Sequence, residues 1–400
     1  METFCYQWKT TFIWSRLVTV MLFSFKEKIE DFIVQEELSF NCSWTWDFFF
    51  VFFEKKNENT MEIINFLCKN LNLQRKELWI AWLKDKDAIT RQWLSISKRS
   101  LKRCWWEKTF LNLLNEKARV LKTDWHNEPL AVWKNRGNTF TIRLRKKEEI
   151  SWADKETIEK NIKEMSLWFP NTFWIQRFWK GNKNYKKALK YFSWEVSFSE
   201  DSYEVKFKLQ AFWSMRFNEY VMKRWENKDL LVEGDIMVNW RNAFWTEVAV
   251  FQSNKLSHFD YRKEKENNIG KEYWEPSHYD WTSDYSEKRF PTGPVLWTEQ
   301  LLCPNWSKAR EYDEELLLSS NFLKYWAKIS KKFNLYWFRR PLWITPEELS
   351  CERDNWDLIL SFSLPTWSYA SSFLSHILWN IDPKGCLENG LIIPRPSLSS

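Results

Sequence analysis

Glycine is the residue that this chain most lacks. Only 7 Gly occur in 400 residues, beside 30 Trp, whereas average usage of about 7% predicts roughly 28 Gly. Counting the Trp together with the Gly would restore an ordinary glycine content. An aromatic-rich protein that stacks carbohydrate or RNA is the simpler explanation, but the positions of the Trp speak against it.

Several Trp stand in polar turns, where a positive φ or a close backbone approach favours glycine. Trp44 and Trp46 lie in Cys-Ser-Trp-Thr-Trp-Asp, and Trp133 precedes Lys-Asn-Arg-Gly-Asn. We therefore hypothesise that many of the Trp are glycines, encoded by UGA codons that the source organism reads as Gly.

Metal-ligand and disulfide patterns are missing as well. The 7 Cys form no Cys-x-x-Cys pair, and the 4 His are scattered. This speaks against a zinc site or a disulfide framework and favours a reducing compartment, which we expect to be the cytoplasm. We therefore expect no bound metal. No apolar run is long enough to span a bilayer, so we also expect no membrane partner.

The composition that remains is that of a globular protein. A length of 400 residues suits about two or three domains, and 44% apolar residues are enough to form their cores. The net charge of +7 permits an anionic partner such as RNA without demonstrating one.

Hydrophobic patterns predict both strands and helices. Alternating or continuous apolar runs predict strands over 32–36, 47–54, 91–97, 138–145 and 357–364. Helical spacing predicts helices over 59–71, 157–165, 298–302 and 313–332. Thr60 is the expected N-cap of the first helix, and the charged segment 261–284 is expected to be loop.

A cluster of charges near residue 85 carries the strongest chemical signal. Asp85 stands between Lys84 and Lys86, and cationic neighbours favour the ionised form of a carboxylate. We therefore expect Asp85 to be an anion at neutral pH, beside ammonium groups that could also meet a phosphate. For a bare Lys-Asp-Lys tripeptide, a solvated turn would be the commoner explanation.

The residues around Asp85 extend this cluster into a longer pattern. From Trp82 the chain reads Trp-Leu-Lys-Asp-Lys-Asp-Ala-Ile-Thr-Arg-Gln. It resembles Gly-x-Lys-Asp-Lys-x-Ala-x-Thr-x-Gln, the signature of the TruD family of tRNA pseudouridine synthases. The matching positions are Lys84, Asp85, Lys86, Ala88, Thr90 and Gln92. The one departure is Trp82, which stands where the family has glycine.

Further segments resemble TruD motifs in the same order, so that the resemblance covers about 22–385. Residues 29–36 resemble Pro-Glu-Asp-Phe-x-Val-x-Glu, and 137–140 resemble Gly-Asn-x-Phe. Residues 170–179 resemble Pro-Asn-Tyr-Phe-Gly-x-Gln-Arg-Phe-Gly, and 365–371 resemble Pro-x-Gly-Ser-Tyr-Ala-Thr. Residues 290–297 resemble a proline-glycine loop of the family's inserted domain. Trp again stands at the family's glycines: Trp174, Trp179, Trp297 and Trp367.

The resemblance implies a fold and a domain order. The fold class would be α/β (α+β), a pseudouridine synthase catalytic domain with a mixed or antiparallel sheet and an inserted TRUD-type α/β domain. The implied segments are a lead-in at 1–21, catalytic parts at 22–167 and 338–385, an inserted domain at 168–337, and a tail at 386–400. If Met21 is the true start, the residues before it lie outside the protein.

The resemblance also implies an activity and its residues. The family isomerises a uridine of tRNA, by resemblance uridine 13, without cofactor or metal, and Asp85 matches its nucleophilic aspartate. Phe140 matches its stacking phenylalanine, and Asn138 would position Asp85 or the base. On spacing alone, core packing for Phe140 and a turn for Asn138 are commoner roles.

Other charged residues have weaker assignments. Lys84 and Lys86 would contact phosphate or tune the electrostatics of Asp85, and Gln176 would bind substrate. Arg177 would clamp a phosphate or pair with a structural carboxylate. Lys26 falls at a recurrent lysine of the family whose role is unclear, and the pair at 339–340 is either a basic rim or, more simply, a solvated turn.

These residues leave two other functions open. A catalytically silent RNA-binding protein on the same scaffold would gain weight if the Trp at the glycine positions are real, because bulky side chains would crowd the pocket. A carbohydrate-binding module would explain the Trp content but not the ordered motifs. The expected partner is tRNA, bound by a monomer.

Overall fold

The computed structural model describes most of the chain between 23 and 378. The described residues are 23–43, 47–131, 134–147, 149–173, 175–178, 183–192, 202–239, 247–268, 273–276, 279, 281–282, 289–295, 300–318 and 338–378. The predicted lead-in and tail lie outside them, as do Trp44, Trp46, Trp133, Trp174, Trp179 and Trp297.

Nineteen strands and ten helices are described. The strands are β1 (Phe23–Phe25), β2 (Phe32–Leu38), β3 (Phe48–Lys56), β4 (Leu78–Trp79), β5 (Ile89–Ser97), β6 (Arg119–His126), β7 (Asn135–Lys146), β8 (Phe169–Pro170), β9 (Ile236–Val238), β10 (Glu247–Gln252), β11 (Lys255–Asp260), β12 (Tyr273–Trp274), β13 (Trp281–Thr282), β14 (Phe290–Val295), β15 (Gln300–Leu301), β16 (Phe338–Pro341), β17 (Trp343–Ile344), β18 (Glu347–Asp354) and β19 (Asp357–Pro365). The helices are α1 (Thr60–Leu71), α2 (Lys98–Arg103), α3 (Trp106–Asn115), α4 (Trp152–Leu167), α5 (Ile175–Phe178), α6 (Lys183–Phe192), α7 (Ser202–Glu226), α8 (Tyr261–Asn267), α9 (Lys308–Leu318) and α10 (Ala370–Ile377).

The larger sheet joins strands from both ends of the chain. Its nine strands follow the order β18-β19-β7-β2-β5-β3-β6, with β1 beside β7 and β4 beside β5. The pairing of β2 with β5 is parallel, whereas β7 pairs antiparallel with β2 and β19. The predicted mixed α/β fold with a mixed sheet is therefore confirmed.

The five strands predicted from the sequence are confirmed, and all belong to this sheet: β2, β3, β5, β7 and β19. Their buried apolar residues pack in the cores beside it. In β3 the side chains of Phe49, Phe50, Val51 and Phe53 are at most 2% exposed, as a continuous apolar run predicts. The helix predicted over 59–71 is α1, but its N-cap is Asn59, whose side chain accepts a hydrogen bond from the Met61 N–H at 2.8 Å.

The N-cap prediction for Thr60 is therefore wrong. Its hydroxyl lies inside the protein and donates to Oε1 of Gln92 at 3.3 Å. Asn and Thr are both good N-caps, so the sequence does not distinguish Asn59 from Thr60. The fold decides, because the Thr60 side chain is buried against β5 and Asn59 is left to cap the helix.

A second, six-stranded sheet follows the order β13-β11-β10-β9-β14-β16. Apolar side chains of α7, among them Phe212 and Phe217, belong to the core beside it. Two predictions fail in this region. The segment 298–302 contains β15, which pairs in parallel with β12, instead of a helix, and 261–284 begins with α8 instead of loop.

Both failures have a physical reason. A five-residue segment is too short for its periodicity to distinguish helix from strand. The Lys and Glu of α8 are good helix formers although they are polar. The domain limits 22–167, 168–337 and 338–385 stay a prediction. Among the described residues, no helix is long and apolar enough to cross a membrane.

Candidate active site

The loop between β4 and β5 carries Asp85 and leaves its carboxylate accessible. The Asp85 side chain is 47% exposed, and Oδ2 lies 2.8 Å from Nζ of Lys26. Lys26 has φ 58, a left-handed conformation that costs a non-glycine residue about 1–2 kcal/mol. Such strain is often found at functional sites. The ion pair gives Lys26 the role that sequence reasoning left unassigned.

Lys84 anchors this loop from its buried side. Nζ of Lys84 lies 3.1 Å from Oε1 of Glu36 and donates to Oδ1 of Asn138 at 2.5 Å. Glu36 is buried and also accepts from the Trp93 backbone N–H at 2.9 Å and from Nδ2 of Asn135 at 2.7 Å. Its carboxylate is therefore well compensated, as a buried charge must be.

Lys84 and Lys86 differ in their surroundings although both flank Asp85. The Lys84 side chain is 7% exposed and committed to internal partners, whereas Lys86 is exposed and makes no ion pair in the described part of the chain. Of the two, Lys86 is the one whose ammonium is available to a phosphate. A second buried lysine, Lys55, donates to the backbone carbonyl of Asp85 at 2.7 Å.

This difference predicts opposite outcomes for two matched substitutions. Lys84→Met should lower the free energy of unfolding by about 3–5 kcal/mol, because it leaves the Glu36 carboxylate buried without its cation. Lys86→Met should change it by no more than about 0.5 kcal/mol. Denaturant unfolding of both variants measures this, and equal effects would contradict the burial of the Lys84–Glu36 pair.

Strand β7 presents Asn138 and Phe140 to the same face, because residues two apart in a strand point the same way. The hydrogen bond from Lys84 to Asn138 brings the Asp85 loop to this strand. Phe140 is 8% exposed, and its ring stacks on Phe362 at 5.5 Å between centroids. It therefore has the core contacts that the simpler explanation predicts.

A true glycine precedes these two residues in β7. A Cβ at Gly137 would lie 2.4 Å from the carbonyl oxygen of Leu364 in β19, a distance that no side chain tolerates. The close approach of the two strands therefore requires glycine here, and the chain has it.

The loop after β19 meets the Asp85 loop, although the two are far apart in sequence. The rings of Trp82 and Trp367 lie 4.8 Å apart. Trp367 has φ 70, as expected at a glycine position, whereas Trp82 is not among the residues with positive φ. The φ argument is therefore wrong for Trp82. Its indole N–H is nevertheless buried without an acceptor among the described residues, which is rare in well-fitted cores.

Arg177 lies in α5 and contacts a different set of residues. Its Nη1 donates to Oε1 of Gln210 at 2.7 Å, and its guanidinium lies 5.4 Å from the ring centroid of Phe173. No described contact joins it to Asp85. Its hydrogen-bond partner is a neutral amide and not a carboxylate. The side chain of Gln176 falls outside the described residues.

The solvated turn expected at 339–340 is wrong, since Arg339 and Arg340 are 0% and 1% exposed. Arg339 pairs with Asp313 at 2.7 Å. Arg340 stacks on Phe173 at 4.0 Å and donates to the side-chain oxygen of Asn171 at 2.7 Å. Burial lowers the pKa of Arg340 to about 9; Tyr369 opposes this shift, and the charge of Arg177 adds to it. Sequence reasoning missed this because the two residues look like a surface charge run.

Metal ligation has no support in the described part of the chain, where no group of three or more His, Cys, Asp or Glu side chains could hold an ion. The arrangement around Asp85 is instead that of an accessible carboxylate on a loop with fixed backbone, bordered by ammonium groups. Such a carboxylate can act as a nucleophile toward a substrate that the cations attract.

Comparisons with known proteins give matches that agree with one another. A family model described as tRNA pseudouridine synthase D (TruD) matches residues 19–190. The chain is 24% identical over 377 residues to tRNA pseudouridine synthase D of Helicobacter pylori (strain HPAG1), covering 89% of this chain and 92% of that protein. It is 25% identical over 364 residues to the protein of that name in Aeromonas hydrophila subsp. hydrophila, covering 88% and 90%.

A solved structure supports the fold. The crystal structure of a putative tRNA pseudouridine synthase D (TruD) from Methanosarcina mazei matches with a TM-score of 0.56 and 18% sequence identity. The match covers 91% of this chain and 95% of that one. At this identity the likeness concerns the fold alone, and it extends over both sheets.

Proposed function

We propose that this chain is a member of the TruD family of tRNA pseudouridine synthases, to which it is similar along most of its length, and that it isomerises a uridine of tRNA to pseudouridine with Asp85 as the nucleophile. The position in tRNA would be uridine 13, as the motifs around Asp85 imply. The reaction is an isomerisation within one nucleotide, so it consumes no second substrate.

The chemistry requires one bond to break and another to form. The bond between N1 of uracil and C1′ of ribose is broken, the base turns, and C5 is joined to C1′. C5 loses its proton and N1 gains one, so the product is an isomer of the substrate. Attack by the Asp85 carboxylate would divide this exchange into two easier steps through a covalent intermediate. A base within folded tRNA must first be unstacked and turned into the pocket.

The single observation that carries the proposal is the combination of a fixed backbone and an accessible carboxylate at Asp85. Its carbonyl is held by Lys55, and the residue before it is held by Glu36 and Asn138. The carboxylate itself remains 47% exposed beside Lys26. Structural carboxylates in this chain, such as those of Asp31 and Asp235, are buried against arginines instead.

The remaining site residues would bind the RNA. Phe140 would stack on the turned base and Asn138 would orient it, while Lys86, Gln176 and Arg177 would contact the RNA backbone or base. The neutral partner of Arg177 supports this assignment, because no carboxylate of the described residues forms an ion pair with it. Lys84 would act through Asn138 and the Asp85 loop.

We also propose the domain arrangement that the motifs imply. A catalytic domain from 22–167 and 338–385 would face an inserted domain from 168–337 across a basic cleft in a V-like arrangement. The contact between Trp82 and Trp367 supports the joining of the two catalytic segments. The protein would act as a monomer in the cytoplasm.

The direct test is incubation of the purified chain with unmodified tRNA transcripts, followed by chemical labelling that maps pseudouridine to single nucleotides. We expect pseudouridine at position 13 and none in a transcript with cytidine at that position. Binding of tRNA without any conversion would contradict the proposal and favour the alternative, a catalytically silent RNA-binding protein.

Phe140 permits a sharper test of the stacking role. Phe140→Leu keeps most of the buried volume but removes the aromatic face, which is worth about 1–3 kcal/mol per stacked base. We therefore expect slower conversion and weaker productive binding with little loss of stability. Phe140→Ala should lose activity and also about 3–5 kcal/mol of stability.

The matched control is Phe362→Leu, since Phe362 stacks on Phe140 in the same core. Single-turnover rates and thermal unfolding should show equal stability losses for the two Leu variants, with an activity loss confined to Phe140→Leu. Equal activity would mean that Phe140 serves the core only.

A further inference from the structure

Lys55 is buried directly behind the Asp85 loop. It is the second-last residue of β3 and is 1% exposed. Its Nζ donates to the backbone carbonyls of Asp85 and Glu58, both at 2.7 Å. One ammonium therefore holds together the turn that leads into α1 and the loop that carries the nucleophile, 30 residues further along the chain.

The charge of Lys55 is not neutralised by direct contact. In the described part of the chain, no carboxylate lies within ion-pair distance of it, in contrast to Lys84, which pairs with Glu36. Buried ammonium groups are usually paired because burial without a partner is costly. The charged groups that act on Lys55 at longer range are Asp85 and Glu58, which favour its charge, and Lys84, which opposes it.

Among the described residues, no charge besides these three acts on Lys55. Thr90 stands opposite it in β5, and the neighbouring Glu54 pairs with Arg91 at 2.9 Å. The described hydrogen bonds of Lys55 go to the backbone carbonyls of Glu58 and Asp85. They therefore fix the positions of the turn before α1 and of the loop that carries Asp85.

Burial lowers the pKa of the Lys55 ammonium from 10.5 to about 8, although Asp85 and Glu58 raise it. Between these values the unfolded chain binds more protons than the folded one, so stability rises with pH. A charged Lys55 therefore weakens the fold at neutral pH. Groups with such a perturbed pKa are concentrated at functional sites.

We propose that Lys55 is a positioning residue for the proposed isomerisation: its charged ammonium holds the Asp85 carbonyl so that the carboxylate stays directed toward the face of β7. This role rests on the proposed function. When the ammonium loses its proton, its hydrogen bonds are no longer charge-assisted and become weaker, and the loop loosens. Activity and stability should then change in opposite directions as the pH rises.

The test compares the pH dependence of two quantities in the wild-type chain and in Lys55→Met. Single-turnover conversion of saturating tRNA should fall in the wild type with a midpoint near pH 8, where burial has brought the pKa of Lys55. Over the same interval, the melting temperature should rise relative to Lys55→Met. Lys55→Met should be slower by about 100-fold, as displaced catalytic groups are, without this midpoint and with unchanged KM for tRNA.

Lys56→Met is the matched control, because Lys56 is the exposed neighbour in the same strand. It should keep both the wild-type rate and the wild-type midpoint. If Lys55→Met does not fold, the pH curve of conversion in the wild type still decides, with Lys56→Met as the reference. Conversion that does not decline near pH 8, or Lys55→Met with the wild-type rate, would overturn the role of Lys55 alone. Absence of pseudouridine at every pH would overturn the proposed function and this role together.

Discussion

Asp85→Asn should abolish pseudouridine formation while tRNA still binds. The substitution keeps the size and shape of the side chain but removes the charge and the nucleophile, so we expect a rate loss on the order of 10⁴-fold or more, as for nucleophiles in other enzymes. Affinity should remain largely intact because it comes mostly from phosphate contacts. Single-turnover conversion and filter binding of the same tRNA measure the two quantities.

Asp87→Asn is the matched control for this variant. Asp87 lies on the same loop, is exposed, and takes no part in the proposed chemistry. We expect it to keep the wild-type rate. Full activity of Asp85→Asn would contradict the assignment of Asp85 as the nucleophile. Equal rate losses in both variants would indicate that the net charge of the loop matters, and not the Asp85 carboxylate itself.

Replacing four Trp by Gly should stabilise the protein. Trp105, Trp106, Trp356 and Trp367 have φ of 58, 70, 77 and 70, and their side chains are 83%, 49%, 55% and 36% exposed. A left-handed conformation costs a non-glycine residue about 1–2 kcal/mol, of which the greater chain entropy of Gly cancels roughly 0.5–1 kcal/mol. Each substitution should therefore gain up to about 1.5 kcal/mol, and the quadruple Gly variant up to about 6 kcal/mol.

Trp93→Gly is the control, because Trp93 has the features of a real tryptophan. It lies inside β5, is 8% exposed and packs against the ring of Phe52 at 4.9 Å. Its loss should cost at least about 3–5 kcal/mol. Denaturant unfolding compares the variants. A quadruple variant no more stable than the parent would contradict the glycine hypothesis.

The wider form of the hypothesis concerns the active site. A chain with Trp at 44, 46, 82, 133, 174, 179, 297 and 367 should be poorly folded or inactive, and the same chain with Gly there should be soluble and active. Codons of UGG at these positions would refute the hypothesis. Peptides of the native protein should be lighter than the written sequence wherever a Trp is truly Gly.

Much of the larger sheet follows from the sequence because its patterns are long. The apolar run of β3 and the alternation of β7 and β19 each extend over about eight or more residues, so their period is unambiguous. The short strands β12 and β15 carry no such signal. These two strands form because they pair with each other. That pairing depends on the tertiary fold and cannot be predicted from either segment alone.

The residues of the candidate site also fall into those that the sequence predicts and those that only the fold reveals. A local motif predicts Asp85, Asn138 and Phe140, but Lys55 and Glu36 form their bonds only after folding. Glu36 does leave a trace, since it follows Phe32 and Val34 at an inward position of β2, where an apolar residue is expected. Lys55, at the end of an apolar run, looks like the point where a strand returns to solvent.

The pairing of β7 with β19 also affects how the protein is made. Thr139 and Ser363, which face each other in these strands, are separated by 224 residues. At about 5–20 residues per second, a ribosome needs roughly 11–45 s to cover that distance. Until then one edge of the strand that carries Asn138 and Phe140 has no partner, and open edges invite pairing with other chains. We therefore expect the nascent chain to depend on chaperones until β19 emerges, and the site to be the last part of the protein to assemble.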